Sequence, residues 1–558
     1  MQVRSPSELS DRLTVKRSQY FIMSPAITHV TDPTADAHIL TSRSEEVEKL
    51  LGQVQDLIIP FIHSADNHKS PNDLPNGHSN GVNKKGLRKA LVEQHDPREL
   101  QRLMALSFPT AGLLEEGFLE EVEKVLRYSV NTWDAGFMSK LYGSTDAPGL
   151  AAELVLASLN TQVHTFQVSP ALAVIEKFTA RALANLFGLN GAFAGGVTTS
   201  GGSGSNATAM LVARHTLFPE TKQLGNSAGG LRLAAFTSAN GHYSIEKAGL
   251  MLGLGMSSVF AVPADPTTRS MDPAALRSCI ENAISEGFTP FFLNATAGTT
   301  VFGAYDNLRP LHAICKDFGM WLHVDASLGG PAVFSAKHKY KLDGSHLANS
   351  ITINPHKMMG VPATCSFVLS ADIRQFHTSN TLPASYLFHS ADSSEEVFDL
   401  ADLTMQCGRR GDALKMYLSW MYHGYEGYAK QVDAVFSTAA YLARLVEDHP
   451  NLVLISPNPP PCCQVCFYYA EGGRLSEDAG RNEEVTKQIA AQLVHRGFMV
   501  DYAGGDTRGA FLRPVVSRGT GIQKVEELIE VVEQIGSTVW ESNVETFMED
   551  STGSDVSP

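Results

Sequence analysis

The sequence predicts an α/β fold: a mostly parallel sheet with helices on both faces, joined to a smaller C-terminal α+β domain. Three observations carry this. Short apolar runs of strand length recur through the middle of the chain, at Leu231–Phe236, Ser258–Val262, Pro290–Asn294, Met320–Asp325, Ser350–Asn354 and Thr364–Leu369. Helix-length segments separate several of them, and strand–helix alternation favours parallel pairing through crossover helices. One such helix is punctuated at its start: Asp272 is placed as N-cap and Pro273 at the first helical position, with Leu276, Ile280 and Ile284 on one face.

The other elements follow in chain order. Residues 1–95 read as peripheral, with one amphipathic helix over Glu45–Ile62. From 63 to 87 Asn, Ser, Gly, Pro and His dominate, too little apolar surface to offset chain entropy, so a flexible linker is expected. Residues 96–140 form a helical segment, with Leu100, Leu103, Met104, Phe118, Val122 and Val125 at helical spacing. A large domain is expected over 141–425 and a small one over 426–545, before a polar tail at 546–558. Helices are predicted at Ala413–Tyr428 and Lys430–Glu447, and strands near Val465–Tyr469, Phe498–Tyr502 and Ala510–Val516. Thr520 and Gln523 form a capping box ahead of a final helix with Val525, Leu528, Val532 and Ile535 on one stripe.

Composition narrows the function classes. Among 558 residues, 44 Lys+Arg face 59 Asp+Glu, a formal net charge of −15. That balance disfavours nucleic acid and anionic membrane as partners. No window approaches the roughly 18 apolar residues of a membrane span, and the N-terminal residues lack the apolar core of a secretory signal. Seven cysteines are too few and too scattered for a disulfide framework. Cys462-Cys463-Gln464-Val465-Cys466 runs on into Phe467-Tyr468-Tyr469 without a second ligand pair, so a buried strand is favoured over a metal site. The expected setting is reducing and cytoplasmic.

Three features carry chemistry. Thr199-Ser200-Gly201-Gly202-Ser203-Gly204-Ser205-Asn206 feeds a helical run, and a Gly/Ser loop at a helix N-terminus suits a phosphate. It is neither a P-loop nor a dinucleotide fingerprint, so a nucleotide is not the natural ligand. Trp321-Leu322-His323-Val324-Asp325 ends an apolar strand in an Asp, which is costly to bury without a cationic partner. Ser350-Ile351-Thr352-Ile353-Asn354-Pro355-His356-Lys357 ends another strand in a turn that presents a lysine amid apolar residues, where a lowered pKa makes a Schiff-base nucleophile. Alone, each has an ordinary explanation: a Gly/Ser loop, a turn Asp, a solvated lysine. Together and in this order they match the fixed contacts of pyridoxal 5'-phosphate, with His242 available to stack on its ring.

The same residues carry a family resemblance. Asn354-Pro355-His356-Lys357, His323-Val324-Asp325-Ala326, Ala295-Thr296-Ala297-Gly298-Thr299-Thr300 and Gln406-Cys407-Gly408-Arg409-Arg410 resemble the group II pyridoxal-phosphate-dependent amino-acid decarboxylases over about Asp96 to Val539. The resemblance implies the aspartate-aminotransferase-like fold (fold type I). It casts Lys357 as the Schiff-base lysine, Asp325 as the partner of the pyridine nitrogen and His242 as the stacking histidine. It places Gly204, Ser205 and Asn354 at the phosphate, Thr300 against the cofactor and His356 just before the lysine. It also implies a homodimer clasped by the helices of Asp96–Tyr128.

Met358-Met359-Gly360-Val361-Pro362 and Phe511-Leu512-Arg513 resemble the glutamate and cysteine-sulfinate branch, which makes Arg513 a candidate for gripping the substrate's distal acid group in two parallel hydrogen bonds. Arg513 could equally pair with a neighbouring acid. Two departures stand out. Met138-Ser139-Lys140-Leu141 puts Lys140 where that branch has a substrate-side glutamine, adding a second positive charge. Ser393-Ser394-Glu395-Glu396-Val397-Phe398 lacks the loop tyrosine that reprotonates the substrate carbon. The expected function is decarboxylation of an L-amino acid, of acidic type, to its amine and CO2. The alternatives are an aromatic amino-acid substrate, decarboxylation coupled to oxidative deamination, transamination, or an inactive binding protein on the same fold.

Overall fold

The computed structural model describes residues 42–66, 91–382, 396–504 and 507–552, with side chains to 541 in the last stretch. The chain divides into two compact units. The first, Met1–Asp56, is described only where the helix Arg43–Asp66 begins. The second, Leu57–Pro558, carries everything discussed below. Residues 63–66 of the expected linker belong to that helix; 67–87, and 553–558 of the expected tail, lie outside the described residues.

Twelve strands are present among the described residues: β1 Phe137–Met138, β2 Gly195–Thr199, β3 Leu233–Ser238, β4 Val259–Val262, β5 Thr289–Thr296, β6 Trp321–Asp325, β7 Ser350–Ile353, β8 Ser366–Ser370, β9 Leu452–Leu454, β10 Phe467–Tyr469, β11 Met499–Ala503 and β12 Phe511–Arg513. Seven form one sheet in the order β2-β8-β7-β6-β5-β3-β4. Pairing is parallel from β4 through β3, β5 and β6 to β7, and β8 runs against both β7 and β2. Six strands therefore point one way and one opposes them.

All six runs read from the sequence are strands, with ends moved by at most two residues. β2 was not anticipated, because Gly-Gly-Val-Thr-Thr has no apolar run. Its partner explains it: a Cβ on Gly196 would sit 2.2 Å from the Val368 carbonyl oxygen on β8. A glycine is needed where two backbones come that close.

The helix Gly202–Leu217 lies against the sheet and is buried at every position from Ser205 to Arg214. The expected cap at Asp272 is present, its carboxylate accepting from the N–H groups of Ala274 (2.8 Å) and Ala275 (3.4 Å). The helical segment after Asp96 forms two helices, Pro97–Met104 and Leu114–Tyr128. The two long helices expected after residue 412 form one, Ala413–Glu447, interrupted at Gly424, whose φ of 67° only glycine adopts readily. Thr520 accepts from the Ser517 N–H (3.1 Å), and the last helix runs Ile522–Thr552.

The smaller sheet has the order β1-β11-β12-β10-β9. Its edge strand β1 comes from the N-terminal segment and pairs in parallel with β11, so this sheet is assembled from both ends of the chain. Cys462, Cys463 and Cys466 are buried beside β10. No cluster of metal-binding side chains occurs among the described residues.

Candidate active site

The parallel strands end at one edge of the large sheet, where α/β proteins bind ligands. A cavity of about 170 Å³ opens there. Its wall takes Thr296 from the end of β5 and Asp325 from the end of β6. Asn354, His356 and Lys357 follow β7, His242 follows β3, and Gly202 and Ser203 follow β2. The structure thus brings together every candidate after β3, β6 and β7.

Asp325 is held in a closed network. Its Oδ2 accepts from Asn206 Nδ2 at 2.8 Å and its Oδ1 from the Ser327 N–H at 3.0 Å. Asn206 also donates to Ser244 Oγ (2.9 Å) and accepts from Thr352 Oγ1 (3.1 Å). His323 Nε2 lies 3.1 Å from Asn206 Oδ1, and its Nδ1 lies 2.8 Å from Ser350 Oγ, which accepts from Trp321 Nε1 at 2.8 Å. Donation runs consistently from Trp321 through Ser350, His323 and Asn206 to the carboxylate. Burial alone would raise the Asp325 carboxyl. The Lys357 charge and the bonds from Ser327 and Asn206 outweigh it and hold the group below its ordinary value.

Lys357 is shifted the other way. Burial lowers its ammonium pKa more than Asp325 and the Cys463 and Cys462 thiols restore it, which favours a neutral, nucleophilic amine. Burial pushes the adjacent His356 down to about 4, with Nδ1 2.7 Å from the Cys365 carbonyl oxygen. His242 is lowered mainly by burial, and its Nδ1 accepts from the Ser244 N–H at 3.2 Å. The neutral ring therefore carries its proton on Nε2.

At the phosphate cradle, the residues on the wall are Gly202 and Ser203. Gly204 and Ser205 lie further into the helix, and both of their N–H groups are taken by the Gly201 carbonyl (3.0 and 3.2 Å). The buried Ser205 hydroxyl sits between Thr199 Oγ1 (2.7 Å) and Ser366 Oγ (2.9 Å), and Ser366 in turn donates to Asn354 Oδ1 (2.6 Å). A Cβ on Gly202 would fall 2.7 Å from Ser327 Oγ and 2.8 Å from Asn354 Nδ2, so the loop is packed to glycine dimensions.

The small sheet reaches the cavity through Thr300, which is on its wall. The Thr300 carbonyl accepts from Arg513 Nη1 (2.8 Å) and Gln464 Nε2 (3.1 Å). Arg513 is almost fully buried and also donates to the Ser139 carbonyl (3.2 Å) and Asp501 Oδ2 (3.1 Å). Lys140 donates to the same Asp501 oxygen at 2.7 Å and lines a second small cavity with Lys357. Asp501, Asn206, Gly202, Ser203 and Ser327 were not singled out from the sequence. A Gly/Ser loop signalled its own region but not its register, and nothing local marks Asp501.

Arg409, from the Gln406–Arg410 motif, forms a buried pair with Glu176 (2.6 Å) and ties β2 to the helix Pro170–Leu186. Of the stretch lacking the loop tyrosine, Ser393–Glu395 lies outside the described residues. Glu396 pairs with Lys177 at 3.0 Å.

The site fits pyridoxal 5'-phosphate. The helix N-terminus at Gly202 offers N–H groups to a phosphate. Lys357 and Asp325 supply an amine and a carboxylate to one cavity, and the buried Thr296 Oγ1 has no hydrogen-bond partner among the described residues.

Comparison with known proteins agrees. Residues 97–470 match the family model described as the pyridoxal-dependent decarboxylase conserved domain. An L-aspartate decarboxylase of Metarhizium robertsii is 45% identical over 505 residues, 90% of this chain and 99% of that protein. A glutamate decarboxylase-like protein of Gibberella zeae is 37% identical over 540 residues, 89% of this chain and 99% of that one. The crystal structure of mouse CSAD superposes with a TM-score of 0.79 at 31% identity, covering 88% of this chain and 99% of that one.

The buried His323 ring generates a prediction. Burial pushes it down to about 4, whereas an unfolded imidazole protonates near 6.5. Its contribution to stability is full above about pH 6.5 and is lost as the pH falls toward 4. Asp306, raised by burial to about 6, acts in the opposite sense over part of that range, so the informative quantity is a difference. His323→Gln should lose about 3 kcal/mol less stability than wild type between about pH 7 and pH 4 in urea unfolding. Equal losses would contradict a neutral buried ring.

Proposed function

This chain belongs to the pyridoxal-dependent decarboxylase family, and from that premise we propose that it removes the α-carboxylate of an acidic L-amino acid, releasing CO2 and the amine. Aspartate is the leading substrate, because the relative at 45% identity is named an L-aspartate decarboxylase. The observation that carries the chemistry is one cavity lined by both Lys357 and Asp325 beside a helix N-terminus.

When bound, pyridoxal 5'-phosphate supplies the electron sink that takes up the pair left at Cα as CO2 departs. The chain's own residues do the rest. Lys357, whose ammonium pKa burial lowers, would provide the amine that attaches the cofactor. Asp325, kept ionised by its network, would hold a proton on the pyridine nitrogen. The N–H groups of Gly202 and Ser203, with Asn354, would hold the phosphate, and Thr300 and His356 would flank the cofactor. His242, which lines the same cavity, would stack on the ring, with its Nε2–H free to donate. Arg513 and Lys140 supply positive charge on the substrate side. Closing such a site against water strengthens each of these contacts.

Purified holoenzyme should be offered aspartate, glutamate, cysteine sulfinate, tyrosine and tryptophan, with CO2, amine, aldehyde and ammonia all quantified. The expected result is CO2 and amine in equal amounts from an acidic substrate, and none from Lys357→Ala. Aldehyde and ammonia without amine would contradict simple decarboxylation, and turnover of the aromatic substrates alone would contradict the acidic one.

We also propose that the protein works as a homodimer in a reducing, cytoplasmic setting. Large apolar side chains stand exposed on neighbouring stretches of sequence, among them Phe108, Leu114, Phe118, Leu154 and Phe178. Exposure on this scale marks a surface that a second copy covers. All seven cysteines are free, and no described helix is long and apolar enough to cross a membrane. Light scattering should give twice the chain mass, and Leu154→Glu with Phe178→Glu should shift it toward the monomer. A fully active wild-type monomer would overturn the dimer.

A further inference from the structure

Three adjacent strands of the small sheet set a carboxylate between two cations. β1 pairs in parallel with β11 at Phe137–Met499 and Met138–Val500, and Lys140 follows β1 by two residues. β11 pairs with β12 so that Asp501 stands directly opposite Arg513. One oxygen, Asp501 Oδ2, accepts from Lys140 Nζ at 2.7 Å and from Arg513 Nη2 at 3.1 Å. The other, Oδ1, accepts from the Tyr502 N–H at 3.0 Å.

This trio adjoins the reacting centre on two sides. Lys140 shares one small cavity with Lys357, and Arg513 holds the carbonyl of Thr300, which lines the cofactor cavity. Exposure decides which contact can exchange. The Arg513 side chain is 7% exposed and tied to two carbonyls, whereas that of Lys140 is 53% exposed and that of Asp501 27%. Arg513 is fixed in place; Lys140 has room to swing.

We propose that Asp501 determines selectivity for acidic substrates by standing in for the substrate's own distal acid group, which replaces it on Lys140 when substrate binds. The inference rests on the decarboxylase reading above. A carboxylate oxygen bridging an ammonium and a guanidinium is the ligand that an aspartate or cysteine-sulfinate side chain would offer. With Asp501 in place the trio carries one net positive charge, not two. An incoming anion then exchanges one carboxylate for another. A neutral side chain cannot compete for Lys140, so it is rejected by the pairing it would have to break. Discrimination of this kind sacrifices some affinity for the right ligand in order to exclude the wrong one.

The test compares wild type with Asp501→Asn, Asp501→Ser and Lys140→Met, each as holoenzyme with an unchanged melting temperature. Initial rates are measured with aspartate, cysteine sulfinate, glutamate and the neutral isostere asparagine, and binding of the unreactive dicarboxylate succinate is measured by calorimetry. Freeing Lys140 should lower KM for the preferred acid about three- to tenfold in both Asp501 variants, with kcat within about twofold. Succinate should bind tighter by a similar factor, and the preference for acid over asparagine should shrink. Lys140→Met should raise KM for the acid and cancel the gain when combined with Asp501→Asn. Unchanged or weaker succinate binding in both Asp501 variants would overturn the proposal, as would a Lys140→Met enzyme with unaltered KM. Failure of wild type to decarboxylate any acid would sink the functional reading instead, and the succinate measurements would still judge Asp501.

Discussion

An ionised carboxylate buried at the end of β6 is the constraint to which the rest of the site answers. Asp325 without partners would take up a proton, because an isolated charge in a low-dielectric interior is too costly to keep. Asn206, Ser327 and Lys357 together reverse that preference. Each partner needs its own support. The Asn206 amide is oriented by Thr352 and His323, and His323 by Ser350, which is fixed by Trp321. His323, Ser350 and Thr352, polar residues in the middle of an apolar sheet, are therefore accounted for by one charge. That charge in turn lets Lys357 sit beside a carboxylate while burial keeps its amine reactive.

The second organising contact is between the two sheets of the larger unit. Gln464 and Arg513 both bond the Thr300 carbonyl, so the small sheet positions a loop that follows β5 of the large one. The strand β1, drawn from before the large domain, completes the small sheet and carries Lys140 to the site. The protein is acidic overall, at −15, yet Lys140 and Arg513, the groups proposed to meet substrate, are cations partly neutralised by Asp501. The balance among Lys140, Asp501 and Arg513 is the proposed guide to what the site accepts.

Much of this was legible in the sequence, for identifiable reasons. The strands that pair in parallel are short apolar runs, and burial on both faces forces that composition. Asp325 stood out as an acid that ends an apolar run and needs a cationic partner, and Lys357 as a lysine set amid apolar residues in the turn after another. The phosphate loop was legible as a region, but the wall is formed by Gly202 and Ser203, with Gly204 and Ser205 further into the helix. Which N–H groups remain available depends on where the helix begins, and a string of glycine and serine does not mark that point. β2 escaped notice because its glycines are required by the proximity of β8, a relation absent from its own residues. Asp501 lies 361 residues from Lys140, and only the strand order brings them together.

The most direct test of the account is chemical. Purified protein loaded with pyridoxal 5'-phosphate should be reduced with borohydride, digested and analysed by mass spectrometry. One pyridoxyl adduct is expected, on Lys357. An adduct on a different lysine, or bound cofactor with Lys357 unmodified, would contradict it.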